Sequence, residues 1–383
     1  MRYCVRPFAV TLYACTHIQV FQTSNLKNGL LRSSPNLCKT VIINCDFKRA
    51  LIPAPFNAEI IGEGRMTMLF KKRKLWSSIL VTLLLGASAV FGSETIPIID
   101  AHSQYDQEIA LEEIIDLMDQ AGVSRTILSQ RGQVKAKNLV SFASRYPDRI
   151  TPAVRTKGGK YTKGSRKEFG SFLDKQIKLG GFGAMAEVLI WHAEKYHHKE
   201  SEAIAPKVVL RPDSPNVRFA LEKAFREGWP FIAHIEFAAI GPERERFMSK
   251  FEELLKEYPD HPFVLNHVGQ LETGDVSRLI ETYQNIHFIT AMCNPISNKK
   301  SGQPLVNLFE KKRLAARWKE LIVAHPDRFI LGFDNVWARH WRKIYVPQVK
   351  LWRNALKDLP VDVAQQVAHG NAERLWGLSP AGR

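Results

Sequence analysis

Pro230-Phe-Ile-Ala-His234 and Phe263-Val-Leu-Asn-His267 are two short apolar runs that each close on a histidine, with a stretch of helical period, residues 243–258, between them. Unbroken apolar runs of this length suit strands buried on both faces, and strand, helix, strand in that order suits a parallel sheet. The same alternation recurs on either side. Strands are predicted at residues 96–101, 125–129, 150–154, 184–189, 230–234, 263–267, 287–290 and 329–333. Helices are predicted at 111–120, 136–145, 167–179, 217–227, 243–258, 275–283, 308–323 and 346–356, with a last one at 362–369. Gly122, Gly180 and Gly228, and Pro147 and Pro259, stand where helices should stop. Eight βα units in about 290 residues predict an α/β fold, a (β/α)8 TIM barrel. A doubly wound sheet is the alternative; its nucleotide-binding forms often carry a glycine-rich turn after the first strand, and Asp100-Ala-His-Ser-Gln-Tyr105 has none.

With 383 residues, 45% of them hydrophobic and 24% charged, the chain has ordinary globular composition, which excludes disorder of the whole. The net charge of +16 suggests a nucleic acid or membrane partner until it is divided along the chain. Residues 1–92 hold twelve of the 54 basic and three of the 38 acidic residues, so 93–383 carry 42 against 35, a net of +7. That is an ordinary balance for a domain that binds a small molecule and no nucleic acid. Four of the five cysteines precede Arg65, and Cys293 alone follows, so no disulfide framework exists in the barrel region.

Lys71-Lys-Arg-Lys74, the apolar run 77–85 and the small-residue stretch Gly86-Ala-Ser-Ala-Val-Phe-Gly92 have the layout of a secretory signal, with cleavage after Ala89 or Gly92. The run is short for a spanning helix, which needs roughly 20 residues. An uncleaved anchor, the only membrane contact foreseen, is the alternative. Such a signal works from the N-terminus, so Met66 or Met68 is read as the natural start and residues 1–65 as an upstream extension without a role in the fold. The division is therefore extension 1–65, signal or anchor 66–92, barrel domain 93–383, with the mature protein periplasmic or secreted.

The predicted strand ends carry the chemistry: His102 after strand one, Glu187 in strand four, His234 closing strand five, His267 closing strand six and Asp334 after strand eight. Barrel active sites are built on that face. Imidazoles with carboxylates suit a zinc-like divalent ion that lowers the pKa of water to about 7. Asp334 can take up the proton and His267 can polarise a carbonyl. Each residue alone is an ordinary strand-end polar group; the coincidence of His, His, His and Asp at strands one, five, six and eight is the signal.

Ile98-Ile-Asp-Ala-His102 resembles the strand-one Asp-x-His-x-His motif of the amidohydrolase superfamily, and Phe329-Ile-Leu-Gly-Phe-Asp334 its strand-eight Gly-Ser-Asp motif. Gly370-Asn-Ala-Glu-Arg-Leu-Trp-Gly-Leu378 resembles the C-terminal signature of the amidohydrolase-related branch. The resemblance implies His102, His234 and Asp334 as ligands of a divalent metal, usually zinc, and His267 as the catalytic histidine. It implies a hydrolase, lactonase or decarboxylase acting on a small carboxylated compound. Gln104 stands where the second strand-one histidine should be, and a neutral amide is a poorer ligand than imidazole. Gln104 and Glu187 are additional candidate ligands, and Gln104 also opens the reading of a barrel that binds without catalysis.

Positive charge surrounds these positions. Arg131, Arg155 and Arg211 are read as carboxylate-binding, with the stretch from Arg155 to Lys167 equally readable as a solvated loop. It lacks the Gly-x-x-x-x-Gly-Lys-Ser/Thr spacing of a phosphate loop. His192, His197 and His198 are read as surface residues of an inserted loop. The leading expectation is a metal-dependent hydrolase using a metal-activated water, with a decarboxylase on the same residues as the enzymatic alternative; an oligomer is compatible with either.

Overall fold

The structure, a computed structural model, describes residues 96–196, 203–301 and 306–381 and four short strands nearer the N-terminus. The chain divides into two compact units, Met1–Glu94 and Thr95–Arg383. In the first, Gln19–Gln22 pairs antiparallel with Val41–Asn44, and Ala58–Ile60 with Met66–Met68. The predicted signal from residue 69 onward, with both cleavage points, lies outside the described residues, as do His197 and His198. Among the described residues no helix is long and apolar enough to cross a membrane.

The second unit is the α/β barrel. Strands one to three, Ile99–Tyr105, Arg125–Gln130 and Ile150–Val154, run parallel in chain order and are followed by Ala184–Met185. A second parallel run continues through Val188–His192, Phe231–Ile235, Phe263–Leu265, Ile286–Ile289 and Phe329–Ile330. Strand four is therefore broken at Ala186 and Glu187, where Ala186 N still donates to Val154 O at 3.0 Å. Strands eight and one form no ladder. Three backbone bonds cross that seam instead: Ala101 N to Leu331 O at 3.0 Å, Asp334 N to His102 O at 2.8 Å and Gln104 N to Asn335 O at 2.7 Å.

Asp100 ties the same seam from its side chain. Its carboxylate accepts from Phe333 N at 2.9 Å, His102 N at 3.3 Å and Ser103 Oγ at 2.6 Å. Burial pushes this carboxyl up to about 7, in spite of the lowering by those same hydrogen bonds.

The barrel interior is filled with Ala and Ile side chains: Ile99, Ala101, Ile127, Ala153, Ala184 and Ile232 are among those that pack there. Trp376 and Ala372 belong to the same cluster and plug it from the side where strands begin. Asn371, fully buried, donates to Pro326 O at 2.7 Å and Phe329 O at 2.8 Å. The C-terminal signature is thus a structural plug. A larger core of Leu, Ile, Phe and Trp side chains lies between the strands and the outer helices.

Helices start and stop for local reasons. Ser165 and Glu168 form a reciprocal capping box on Arg166–Ile177, and Pro215 opens Pro215–Glu227, which Gly228 ends at φ 69°. Three expectations shift. Strand one runs later than residues 96–101, so His102 and Gln104 lie within it. The helix expected at 308–323 begins at Ala316, because Phe309–Glu310 and Arg313–Leu314 pair as a hairpin. Strand six stops at Leu265, and His267 follows it in a tight turn.

Candidate metal centre

Strict alternation along strand one would carry the inward face from Ile99 and Ala101 to Ser103. A register shift between Asp100 and Ser103 changes the parity, and His102 and Gln104 are the residues that reach the polar centre. Asp334 (φ 45°) and His267 (φ 55°) both sit in the left-handed region. Backbone strain of this kind costs about 1–3 kcal/mol per residue and concentrates at functional sites. The break in strand four gives Glu187 its place at the middle of the group.

Glu187 is buried and is the hub. His234 Nδ1 donates to its Oε2 at 2.7 Å and Asn266 Nδ2 to the same oxygen at 2.6 Å. Its Oε1 accepts from Lys157 Nζ and, at 3.3 Å, from Gln104 Nε2. Burial alone would raise this carboxyl, but Lys157, His234 and His102 outweigh it and hold Glu187 well below the usual carboxylate range.

His102 Nε2 lies 3.4 Å from Glu187 Oε1 and 3.4 Å from Asp334 Oδ1, yet makes no directed hydrogen bond. Burial lowers its pKa, and the two carboxylates more than reverse this, to about 9. Burial and Glu187 push Asp334 up, but His102 and His267 keep it below its ordinary value. One ligand atom each from His102, Glu187 and Asp334 lies within 4.8 Å of the others, as do those of Glu187, His234 and His267. A buried imidazole nitrogen without a directed partner, between two carboxylate oxygens, fits a divalent cation.

Gln104 needs correction as a candidate ligand. Its Nε2 donates to Asp334 Oδ1 at 3.0 Å as well as to Glu187, while its Oε1 accepts from Lys157 Nζ at 3.2 Å. Two carboxylates require donors and an ammonium requires an acceptor, so this orientation satisfies all of them. The atom turned toward the acids is then a nitrogen that cannot ligate.

His267 changes in kind too. Its Nδ1 lies 2.9 Å from Ala291 O, and a carbonyl only accepts, so in the neutral ring the proton is on Nδ1 and Nε2 keeps a lone pair. Burial and His234 lower its pKa to about 4. His267 Nε2, 3.4 Å from Asp334 Oδ2, is therefore a proton acceptor rather than the donor that would polarise a carbonyl.

A cavity of about 820 Å³ opens above this centre, with Gln104, Glu187, His234, Glu236, His267 and Asp334 among its lining residues. Arg131 and Arg155 are on its wall. Arg131 lies 3.7 Å over the Trp337 ring and donates to Val336 O at 3.1 Å; Arg155 donates to Gly132 O at 2.9 Å. Arg211 is not on that wall: it is exposed and paired with Asp213 at 2.9 Å. His192 is no simple surface residue, since it lines the cavity with its ring 5.1 Å from that of His234. Sequence reasoning missed Lys157, Lys195, Asn266 and Glu236. Glu236 was open to discovery, a carboxylate two residues after His234 and just past the end of the same strand.

The family described as amidohydrolase matches residues 202–378, from the loop after strand four through His234, His267 and Asp334 to the plug. That match supports an amidohydrolase-type barrel over residues 202–378. The match begins after His102, Gln104, Lys157 and Glu187, so it does not speak to the half of the amidohydrolase centre where this chain departs from the motif. An uncharacterised TIM-barrel protein of Bordetella bronchiseptica superposes with TM-score 0.50 at 17% identity, over 71% of this chain and 84% of that one, which is a likeness of fold alone. A thermostable xylanase mutant and a xylanase in complex with xylopentaose, both of Cellvibrio japonicus, align at TM-score 0.34 and 11% identity. They cover 63% and 76% of this chain, and 86% and 69% of their own, and carry no argument at that distance. No curated protein matches the chain.

Proposed function

We propose that this amidohydrolase barrel is a metal-dependent hydrolase acting on a small carbonyl compound that carries a carboxylate. The observation that supports this most is His102 Nε2, buried between Glu187 and Asp334 without a directed hydrogen bond. His102, Glu187 and Asp334 would hold the ion, with His234 ordered by Glu187 beside it; zinc is the ion this donor set favours. A divalent cation there supplies Lewis acidity toward water and a substrate carbonyl.

The chain's own residues do the rest. Asp334 and the lone pair of His267 Nε2, facing each other at 3.4 Å, take up and pass on the proton released as water adds to the carbonyl. Arg131 and Arg155, fixed by main-chain carbonyls on the cavity wall, orient the substrate carboxylate. We propose further that residues 66–92 export the mature enzyme, which N-terminal sequencing of native protein tests: a mature chain still starting before residue 66 sinks this.

Metal analysis of protein purified without chelator, paired with Asp334→Asn, tests the main reading. Bound metal that the variant loses together with activity is expected. Release of CO₂ from the substrate in place of water uptake would move the reaction to decarboxylation. The mutual satisfaction of Gln104 and Lys157 favours a second reading, a barrel that binds without catalysis. Absence of metal after reconstitution, with ligand binding unchanged in Asp334→Asn, would select it.

A further inference from the structure

A second group of ligand-type side chains lies beside Glu187 on the strand-five side, and it shares no residue with the His102, Glu187 and Asp334 group. One atom each from His192, His234 and Glu236 lies within 4.8 Å of the others. His234 Nδ1 is committed to Glu187 Oε2 at 2.7 Å, and a carboxylate accepts, so Nδ1 carries a proton. In the neutral ring Nε2 is then a lone pair, facing Glu236 Oε1 at 3.2 Å. A lone pair and a carboxylate oxygen at that distance repel unless positive charge stands between them. A proton can provide it, and so can a metal ion.

The other two members are preset in the same way. His192 Nδ1 lies 3.2 Å from Pro206 O, which only accepts, so the neutral ring keeps its lone pair on Nε2. A ring nitrogen tied to a main-chain carbonyl or a carboxylate is the usual outer support of a metal-binding histidine. Here Pro206 supports His192, and Glu187 supports His234. Glu236 Oε2 is held by Ala193 N at 2.6 Å, which leaves Oε1 as its ligating atom. All three residues line the cavity.

We propose that His192, His234 and Glu236 form a second divalent-cation site, separate from the centre of the hydrolase reading and coupled to it through the His234 to Glu187 hydrogen bond. Two imidazoles, one carboxylate and an open position suit a zinc-class ion better than magnesium or calcium. Lys195 Nζ occupies Glu236 Oε1 in the structure and is only partly buried at the cavity wall, so ion uptake displaces this ammonium toward solvent. The Lys195 charge thus competes with the ion. Where His234 Nε2 is protonated, that proton leaves to solvent as the ion enters.

The site is tested on the full chain, stripped with chelator and titrated with Zn²⁺ by calorimetry and with Co²⁺ by visible absorption. Two equivalents are expected for the parent and one for His192→Ala. Asp334→Asn should lose the other equivalent and keep the one that depends on His192. Failure of the Asp334 arm alone would strike the hydrolase reading, whereas equal stoichiometry and affinity in parent and His192→Ala would overturn the second site. Lys195→Met gives an independent reading should His192→Ala fail to fold: affinity at the second site should tighten about tenfold, within the range that outer-sphere changes produce. An unchanged affinity in Lys195→Met would also overturn the proposal.

Discussion

Replacing Asp100 by Asn should make the protein slightly less stable in acid and more stable in alkali, and the crossing of sign is the informative part. Burial raises this carboxyl from 3.8 to about 7. Between those limits the folded chain keeps a proton that the unfolded chain has released, so stability falls as pH rises through the window and stays low above it. About three pH units at about 1.4 kcal/mol each come to about 4 kcal/mol. Asn has no proton to lose and keeps an acceptor for Phe333 N, which holds strand eight to strand one. Its amide nitrogen faces Ser103 Oγ, already an acceptor for Asn335 N at 3.1 Å and Asn335 Nδ2 at 3.2 Å, so one hydrogen bond worth about 1 kcal/mol is lost at every pH. The variant should therefore be about 1 kcal/mol less stable than the parent near pH 4 and about 3 kcal/mol more stable near pH 8. Urea unfolding of both chelator-treated proteins at the two pH values measures the difference. The same difference at both pH values would refute the argument that burial, rather than hydrogen bonding, governs Asp100.

His102, raised from 6.5 to about 9, works with the opposite charge and the same slope. Its contribution to the metal-free protein is complete below pH 6.5 and disappears as pH rises through 9, up to about 3 kcal/mol, and His102→Gln should flatten urea stability over that window. Gln104→His puts an imidazole where the amide donates to Glu187 and Asp334, and should tighten zinc about tenfold in a calorimetric titration. Asn371→Ala strips the buried Phe329 O and the half-buried Pro326 O of their donor and should cost about 2–3 kcal/mol in urea unfolding while leaving metal stoichiometry unchanged.

The barrel was legible because its strands are apolar on both faces and its helices are amphipathic, and those patterns are written locally. The residues closing or following strands were legible for the same reason: His234 and Asp334 needed only the strand ends to be placed. What escaped depends on long-range geometry. Lys157 sits in a stretch that reads as solvated loop, and nothing local says that its ammonium meets Glu187, 30 residues on. His267 was found, but which of its nitrogens turns inward is set by the carbonyl of Ala291, 24 residues away. Gln104 showed as a departure from a motif, and only its three partners reveal which end of the amide faces the acids. His192 looked like a loop residue because the strand-four break that brings it to His234 leaves no mark in hydrophobic pattern.

Strand eight has Asn371 at its beginning and Asp334 beyond its end, so one short element joins two very different kinds of constraint. The residues around Asn371 answer to packing: any drift there unseals the barrel floor, whatever happens at the other end. The residues around Asp334 answer to the polar centre as well as to the seam with strand one. A chain of this design can keep its lineage fully readable while its chemistry is rewritten at the other end, and Gln104 beside Lys157 has the look of such a revision.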